Sequence, residues 1–274
     1  MREQFERDGF VVLKGFFDRR IMDGVRAEAE AIANRLIGKL HAEGQIERSH
    51  AELPFEKRLI PIYKQAGKAA PGLFNQELHC AGFFEFFFNQ RLLDLVESFL
   101  GQEVRLYPNY YLRPKVPGDE AFRVLWHQDA AYTDAFKGGG KVDILRTVNC
   151  WASLVPATVE NGCMQFIPGS HKLGLVPYTQ QAHYLEIAPE QLKPHLSKII
   201  DVTMNPGDVV LFHNMLFHQG LPNNSDSIRW SIDWRYQDAT QPTLRPSNGH
   251  LARSQQAPAQ TVRSADDWVA RTCA

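Results

Sequence analysis

The chain has 274 residues, 44% of them hydrophobic, which is enough for one large core or two small ones. Its 30 basic and 31 acidic residues leave a net charge of −1, and no basic stripe appears, which argues against nucleic acid or an anionic membrane as the main partner. No apolar run reaches the roughly 18 residues of a membrane span, and the charged N-terminus MREQFERDGF lacks the apolar stretch of a signal peptide.

Cys80, Cys150, Cys163 and Cys273 show no CxxC spacing, so reduced thiols in a cytoplasmic protein are expected. Residues 4–13 read as a short helix, a turn at Asp8-Gly9 and a strand from Phe10 to Leu13. A helix follows from Asp18, its N-cap, with Ile21, Val25, Ala29, Ile32 and Leu36 at helical spacing. Between 41 and 75, Pro54, Pro61 and Pro71 are expected to interrupt any long element. The aromatic run GFFEFFF at 82–88 reads as core packing, with an apolar substrate contact as the alternative. A second helix covers 90–100 and stops at Gly101.

After Gly101 short β-prone runs alternate with turn signals, among them VRLYPNYYL, FRVLWHQ, RTVNCWASLV, DVVLFHN and IRWSIDWRY. Asn161-Gly162 marks a hairpin turn, and a short helix ends the chain at ADDWVAR. The expected fold is mainly β with flanking helices, a jelly-roll-type sandwich (a cupin-like double-stranded β-helix). One domain over 1–274 is the economical division: a mostly helical part over 1–100, a jelly-roll core over 101–237 and a tail over 238–274.

The chemistry concentrates in two places. In WHQDAAY, His127 and Asp129 are two apart, so on a strand they share a face and can converge on a metal ion. A third ligand is needed, and two histidines of PGDVVLFHNMLFHQGLPNN compete for it. His213 and His218 are five apart, so on a continuous strand they face opposite sides. Spacing favours His218, beside a turn and eleven residues before Arg229, which a hairpin would set alongside it; the other reading is a buried, hydrogen-bonded histidine. The remaining histidines carry no functional claim; His79 and His171 are explained by local hydrogen bonding.

Along IRWSIDWRY, Arg229, Ser231 and Asp233 share one face and Trp230, Ile232 and Trp234 the other. A guanidinium pointing inward needs a partner. Either Arg229 pairs with Asp233, or it is a fork for a carboxylate with the Ser231 hydroxyl as second donor. Asp233 and Arg235 are also candidates to bind a polar substrate. Two histidines and a carboxylate form the ligand set of non-haem Fe(II) oxygenases. A non-oxidative metal-binding cupin would share that cluster without needing Arg229 and Ser231 to face it.

The segments FERDGFVVLKGFF, WHQDAAY, VNCWASLVPATVENGCMQFIPGSHKLG, PGDVVLFH and HQGLPNNSDSIRWSI follow in order over most of residues 5–236. In them the sequence resembles the phytanoyl-CoA dioxygenase family of Fe(II)/2-oxoglutarate-dependent oxygenases. The resemblance implies Fe(II), 2-oxoglutarate and O2 as cofactor and cosubstrates, with succinate and CO2 released as a small-molecule substrate is hydroxylated. Desaturation, epoxidation or cyclisation are alternative outcomes of the same chemistry. By this match His127, Asp129 and His218 are the iron ligands, Arg229 holds the distal carboxylate of 2-oxoglutarate with Ser231, and Trp151 lines the cosubstrate pocket, although an ordinary core tryptophan is the other reading. Asn109 and Gln128 are weaker candidates for cosubstrate contact, and Gln128 depends on the strand ending there. Related halogenases replace the triad carboxylate by a small residue; here Asp129 is present, which argues against halogenation. The Gly138–Gly140 run suggests a lid over 130–143, with a surface loop as the alternative.

Overall fold

The computed structural model describes residues 1–67, 74–118, 124–137, 142–180 and 185–271. The chain opens with α1 (Arg2–Asp8), which ends at Gly9 with φ 84°, and β1 (Phe10–Leu13). A Cβ at Gly9 would stand 2.5 Å from the His171 ring, so the tight turn requires glycine. Helix α2 (Arg19–Ala42) starts where expected: the Asp18 side chain accepts from the Ile21 amide at 2.9 Å. Then come α3 (Phe55–Ala66), α4 (Ala81–Phe87) and α5 (Gln90–Leu100).

The first three strands of the second half are β2 (Val104–Leu106), β3 (Tyr111–Lys115) and β4 (Val124–His127). After them run α6 (Asp129–Lys137), β5 (Thr147–Ser153), β6 (Met164–Phe166), β7 (Tyr178–Gln180) and β8 (Leu185–Ile187). The last elements are α7 (Pro189–Leu192), β9 (Ile200–Val202), β10 (Val209–His213), β11 (His218–Gly220), β12 (Arg229–Asp238), β13 (His250–Arg253) and α8 (Ala265–Ala270).

Two antiparallel sheets face each other. The larger has the order β1-β10-β5-β12-β2-β13, with β3 also paired to β12; the smaller is β4-β11-β6-β9. This is the expected jelly-roll arrangement with flanking helices. The large sheet takes β1 from the N-terminal part and β13 from the tail, so its strands come from all three stretches of the chain.

Strand alternation decides what each face of the large sheet does. Trp230, Ile232, Trp234 and Tyr236 point outward and pack with Val148, Cys150 and Ala152 against the helices, in a cluster that includes Phe83, Phe86, Phe87 and Trp268. The GFFEFFF run is therefore core. Trp151, Val210 and Phe212 point inward and meet Met164, Phe166 and Val202 of the small sheet. Arg229, Ser231, Asp233 and Arg235 occupy the same inner face of β12 and are all buried, within a sandwich where polar groups need partners.

Three local expectations are corrected. Pro61 does not break α3 but lies inside it, with Pro54 at the N-cap. The Asn161-Gly162 turn joins β5 of the large sheet to β6 of the small one and is not a hairpin. Gly162 is nonetheless obligatory, with φ 90° and a Cβ position 2.5 Å from the Leu221 carbonyl oxygen. Most of 130–143 is not an open loop: residues up to 137 belong to α6, Val142–Ile144 form a 3-10 turn, and residues 138–141 lie outside the described residues.

Candidate active site

The small sheet places the two histidines. β11 and β4 pair so that His218 stands directly opposite His127, and the ring centroids are 4.0 Å apart. Each ring is fixed by the same device. The His127 Nδ1–H donates to the Leu125 carbonyl at 2.7 Å, and the His218 Nδ1–H donates to the Leu216 carbonyl at 2.9 Å. A carbonyl only accepts, so each Nε2 keeps its lone pair for a ligand. The approach to His218 is held by Ser170 of the PGSH segment, whose hydroxyl oxygen accepts from the Phe217 amide at 2.8 Å. That segment is structural, as expected.

Asp129 completes the cluster, but not from a strand. β4 ends at His127 and Asp129 is the first residue of α6. Its Oδ1 lies 3.4 Å from His127 Nε2 and 3.7 Å from His218 Nε2. One ligand atom from each of the three residues falls within 4.8 Å of the others, the donor set and spacing that a divalent metal needs. Burial raises the Asp129 carboxyl pKa, but Arg235 and the two histidines outweigh it and hold it well below the usual range. Burial, and then His127, push His218 down to about 3, so the ring is neutral and available. His213 sits at the end of β10, its Nδ1 accepting from the Met215 amide, and is not part of the cluster.

Arg229 lies deeper in the sandwich. Neither its Nε nor its Nη1 has a hydrogen-bond partner among the described residues, and neither does the Ser231 Oγ. The Trp151 ring lies 5.2 Å from the guanidinium carbon. The alternative Arg229–Asp233 ion pair does not form: Asp233 is bound by Arg113 and, at 2.8 Å, by Arg235. Nor are β11 and β12 neighbours; they belong to opposite sheets, so no hairpin sets Arg229 alongside His218.

Two weaker candidates have other occupations. Gln128 is committed at both ends of its amide, donating to the carbonyls of Gly174 and Met215 at 2.8 and 2.7 Å and accepting from the Val176 amide at 2.9 Å. It braces the segment between His127 and Asp129. Asn109 accepts from Arg235 at 3.1 Å. Asp233 and Arg235, considered for substrate binding, instead hold each other.

Three residues escaped the sequence reading. Lys115 is buried directly opposite Arg229 in the β3–β12 register, with Nζ 3.3 Å from the Gly220 carbonyl. Burial, and then the Arg229 charge, bring it down to about 7. Asn149, on the inner face of β5, donates to Asp129 Oδ2 at 2.9 Å. Its own Oδ1 and that of Asn214 are buried without partners among the described residues, on a cavity of about 20 Å³ that Asp129 and Arg235 also line. The signal for Lys115 and Asn149 was present as alternation: Tyr111, Arg113 and Lys115 on one strand, Thr147, Asn149, Trp151 and Ser153 on the other.

Residues 5–231 match the model of the phytanoyl-CoA dioxygenase (PhyH) family. The chain belongs to that family. Among curated relatives, a phytanoyl-CoA dioxygenase domain-containing protein 1 homolog of Caenorhabditis elegans is 25% identical, over 84% of this chain and 87% of that one. The 1-deoxypentalenic acid 11-beta-hydroxylase of Streptomyces arenae is 26% identical over 86% and 80%. Among solved structures, the epimerase SnoN in complex with Fe3+, alpha ketoglutarate and nogalamycin RO superposes with a TM-score of 0.56 at 23% identity, covering 88% of this chain and 84% of that one. As a family member the protein is an Fe(II)/2-oxoglutarate-dependent oxygenase. The His127–Asp129–His218 cluster fits iron, and Arg229 and Ser231, whose Nε, Nη1 and Oγ are unpartnered among the described residues, fit a carboxylate. No helix among the described residues is long and apolar enough to cross a membrane.

Proposed function

We propose that this protein is a single-domain cytoplasmic hydroxylase of a small molecule, in which His127, Asp129 and His218 hold Fe(II) and Arg229 with Ser231 holds the far carboxylate of 2-oxoglutarate. The observation that carries the reading is the buried guanidinium of Arg229. Its Nε and Nη1 have no partner among the described residues, a costly condition for a cation in a protein interior, and a neighbouring hydroxyl in the same condition makes a two-donor site for one anionic group. Iron and 2-oxoglutarate together supply the oxygen activation, the cosubstrate leaving as succinate and CO2.

The chain's residues supply position. The two backbone-anchored imidazoles and the clamped carboxylate present their lone pairs without rearrangement. The Trp151 ring covers one side of the Arg229 guanidinium, and Lys115 adds a further donor on the opposite strand. With only these three residues as protein ligands, a bound metal would keep positions for a chelating cosubstrate.

The test is anaerobic addition of Fe(II) and 2-oxoglutarate to metal-free protein. A visible charge-transfer band should appear, and should be weakened or absent in Asp129→Ala, His218→Ala and Arg229→Ala. Metal binding with no band would favour the non-oxidative cupin reading. A product heavier than its substrate by one oxygen separates hydroxylation from desaturation and cyclisation.

A further inference from the structure

Asp129 has two oxygens, and only Oδ1 faces the histidines. The other, Oδ2, is held from three directions: by Arg235 Nη2 at 2.7 Å, by Arg235 Nε at 3.2 Å and by Asn149 Nδ2 at 2.9 Å. Arg235 and Asn149 stand opposite each other in the β5–β12 register, so two rigid strands fix both donors. The remaining Arg235 donors are occupied too, Nη1 reaching Asp233 Oδ1 at 2.8 Å and Asn109 Oδ1 at 3.1 Å. Arg113 closes the row on the far side of Asp233. The result is an alternating chain of charge, Asp129–Arg235–Asp233–Arg113, in which each internal group has a neighbour of opposite sign.

A carboxylate free to rotate can bind a metal through one oxygen or through both. Using both would consume a coordination position that the cosubstrate needs. A fork of donors on Oδ2 prevents that rotation, because turning the second oxygen toward the metal breaks three hydrogen bonds, two of them charge-assisted at both ends. We propose that Arg235 is a positioning residue that, with Asn149, restricts Asp129 to one ligand oxygen and so keeps the metal's open positions open. This rests on the reading of His127, Asp129 and His218 as the metal site.

The test uses Co(II) titrated into the metal-free full-length protein, whose visible absorption reports coordination number and needs no turnover. Arg235→Gln should bind Co(II) roughly 10–100-fold more weakly, as loss of a partner to a ligand does elsewhere, and its absorption should change in position and intensity. Asn149→Ala, which leaves the charge chain intact, should move both readouts in the same direction but less. Because Arg235→Gln takes from Asp233 one of its two arginine partners and can impair folding, Arg235→Gln/Asp233→Asn, which removes a charge of each sign together, provides a second route to the same result. Arg229→Gln should bind Co(II) like the wild type. Unchanged affinity and spectrum in the folded Arg235 variants would overturn the positioning role alone. Wild-type protein that binds no Co(II) would overturn the metal site and the positioning role together.

Discussion

The Arg229 guanidinium lies with its carbon 5.2 Å from the centroid of the Trp151 ring, buried, with Nε and Nη1 unpartnered among the described residues. A group kept in that condition costs stability, and its proposed partner is the distal carboxylate of 2-oxoglutarate. Arg229→Met should therefore raise the stability of the free protein by about 1–4 kcal/mol in urea unfolding, the range found when buried ionic groups become apolar. The same variant should lose 2-oxoglutarate affinity by roughly 100-fold or more, about 2.8 kcal/mol at 1.4 kcal/mol per tenfold, while metal affinity stays. A variant less stable than wild type would mean that Arg229 already has a structural partner.

Lys115 is expected to give the proposed cosubstrate site a pH dependence. The ordinary lysine value is 10.5, and burial brings it to about 7 in the free protein. Below pH 7 the ammonium is present before a dianion arrives, so affinity for 2-oxoglutarate should be flat. Above it, each binding event takes up a proton, and affinity should fall by up to about tenfold per pH unit until the higher pKa of the complex is passed. Calorimetry at pH 8 in two buffers of different ionisation enthalpy measures the uptake directly. Lys115→Met should bind more weakly at pH 6.5 and lose the slope; a slope that survives would assign the proton elsewhere.

His213 and His218 separate cleanly. His213→Gln leaves the metal cluster intact and should bind Fe(II) like the wild type. His218→Gln should lose more than the roughly 100-fold that removal of a mere supporting partner costs. Equilibrium dialysis of both variants decides it, and equal losses would mean that the pair acts as a structural unit.

Gln128 is predicted to matter for stability and not for cosubstrate recognition. Gln128→Leu strands two carbonyls and one amide that it now satisfies. Stranded buried groups cost about 1–3 kcal/mol each and do not add fully, so a loss near 3 kcal/mol is expected in denaturant unfolding. A loss below 1 kcal/mol would show that water replaces the amide without penalty.

What the sequence determined by itself is everything with a local period. Asp18 begins a helix because its side chain reaches an amide three residues on, and Gly101 ends one. Alternation along β12 separated Arg229, Ser231 and Asp233 from Trp230, Ile232 and Trp234, because successive strand residues must point to opposite faces. With the resemblance in its motifs, the sequence also named the residues that the structure brings together around one point.

What only the tertiary structure decided is the choice of partners. Nothing near Asp129 in the chain announces that it starts a helix, or that Arg235, 106 residues away, grips its second oxygen. Asp233 was within reach of Arg229 along the strand, yet Arg113 and Arg235 claimed it. The short segment between His218 and Arg229 looked like a hairpin but crosses from one sheet to the other. A side chain's direction follows from its own backbone, whereas its partner depends on which strands pair and in what register. Long-range packing of the two sheets fixes that choice, and no short stretch of sequence contains it.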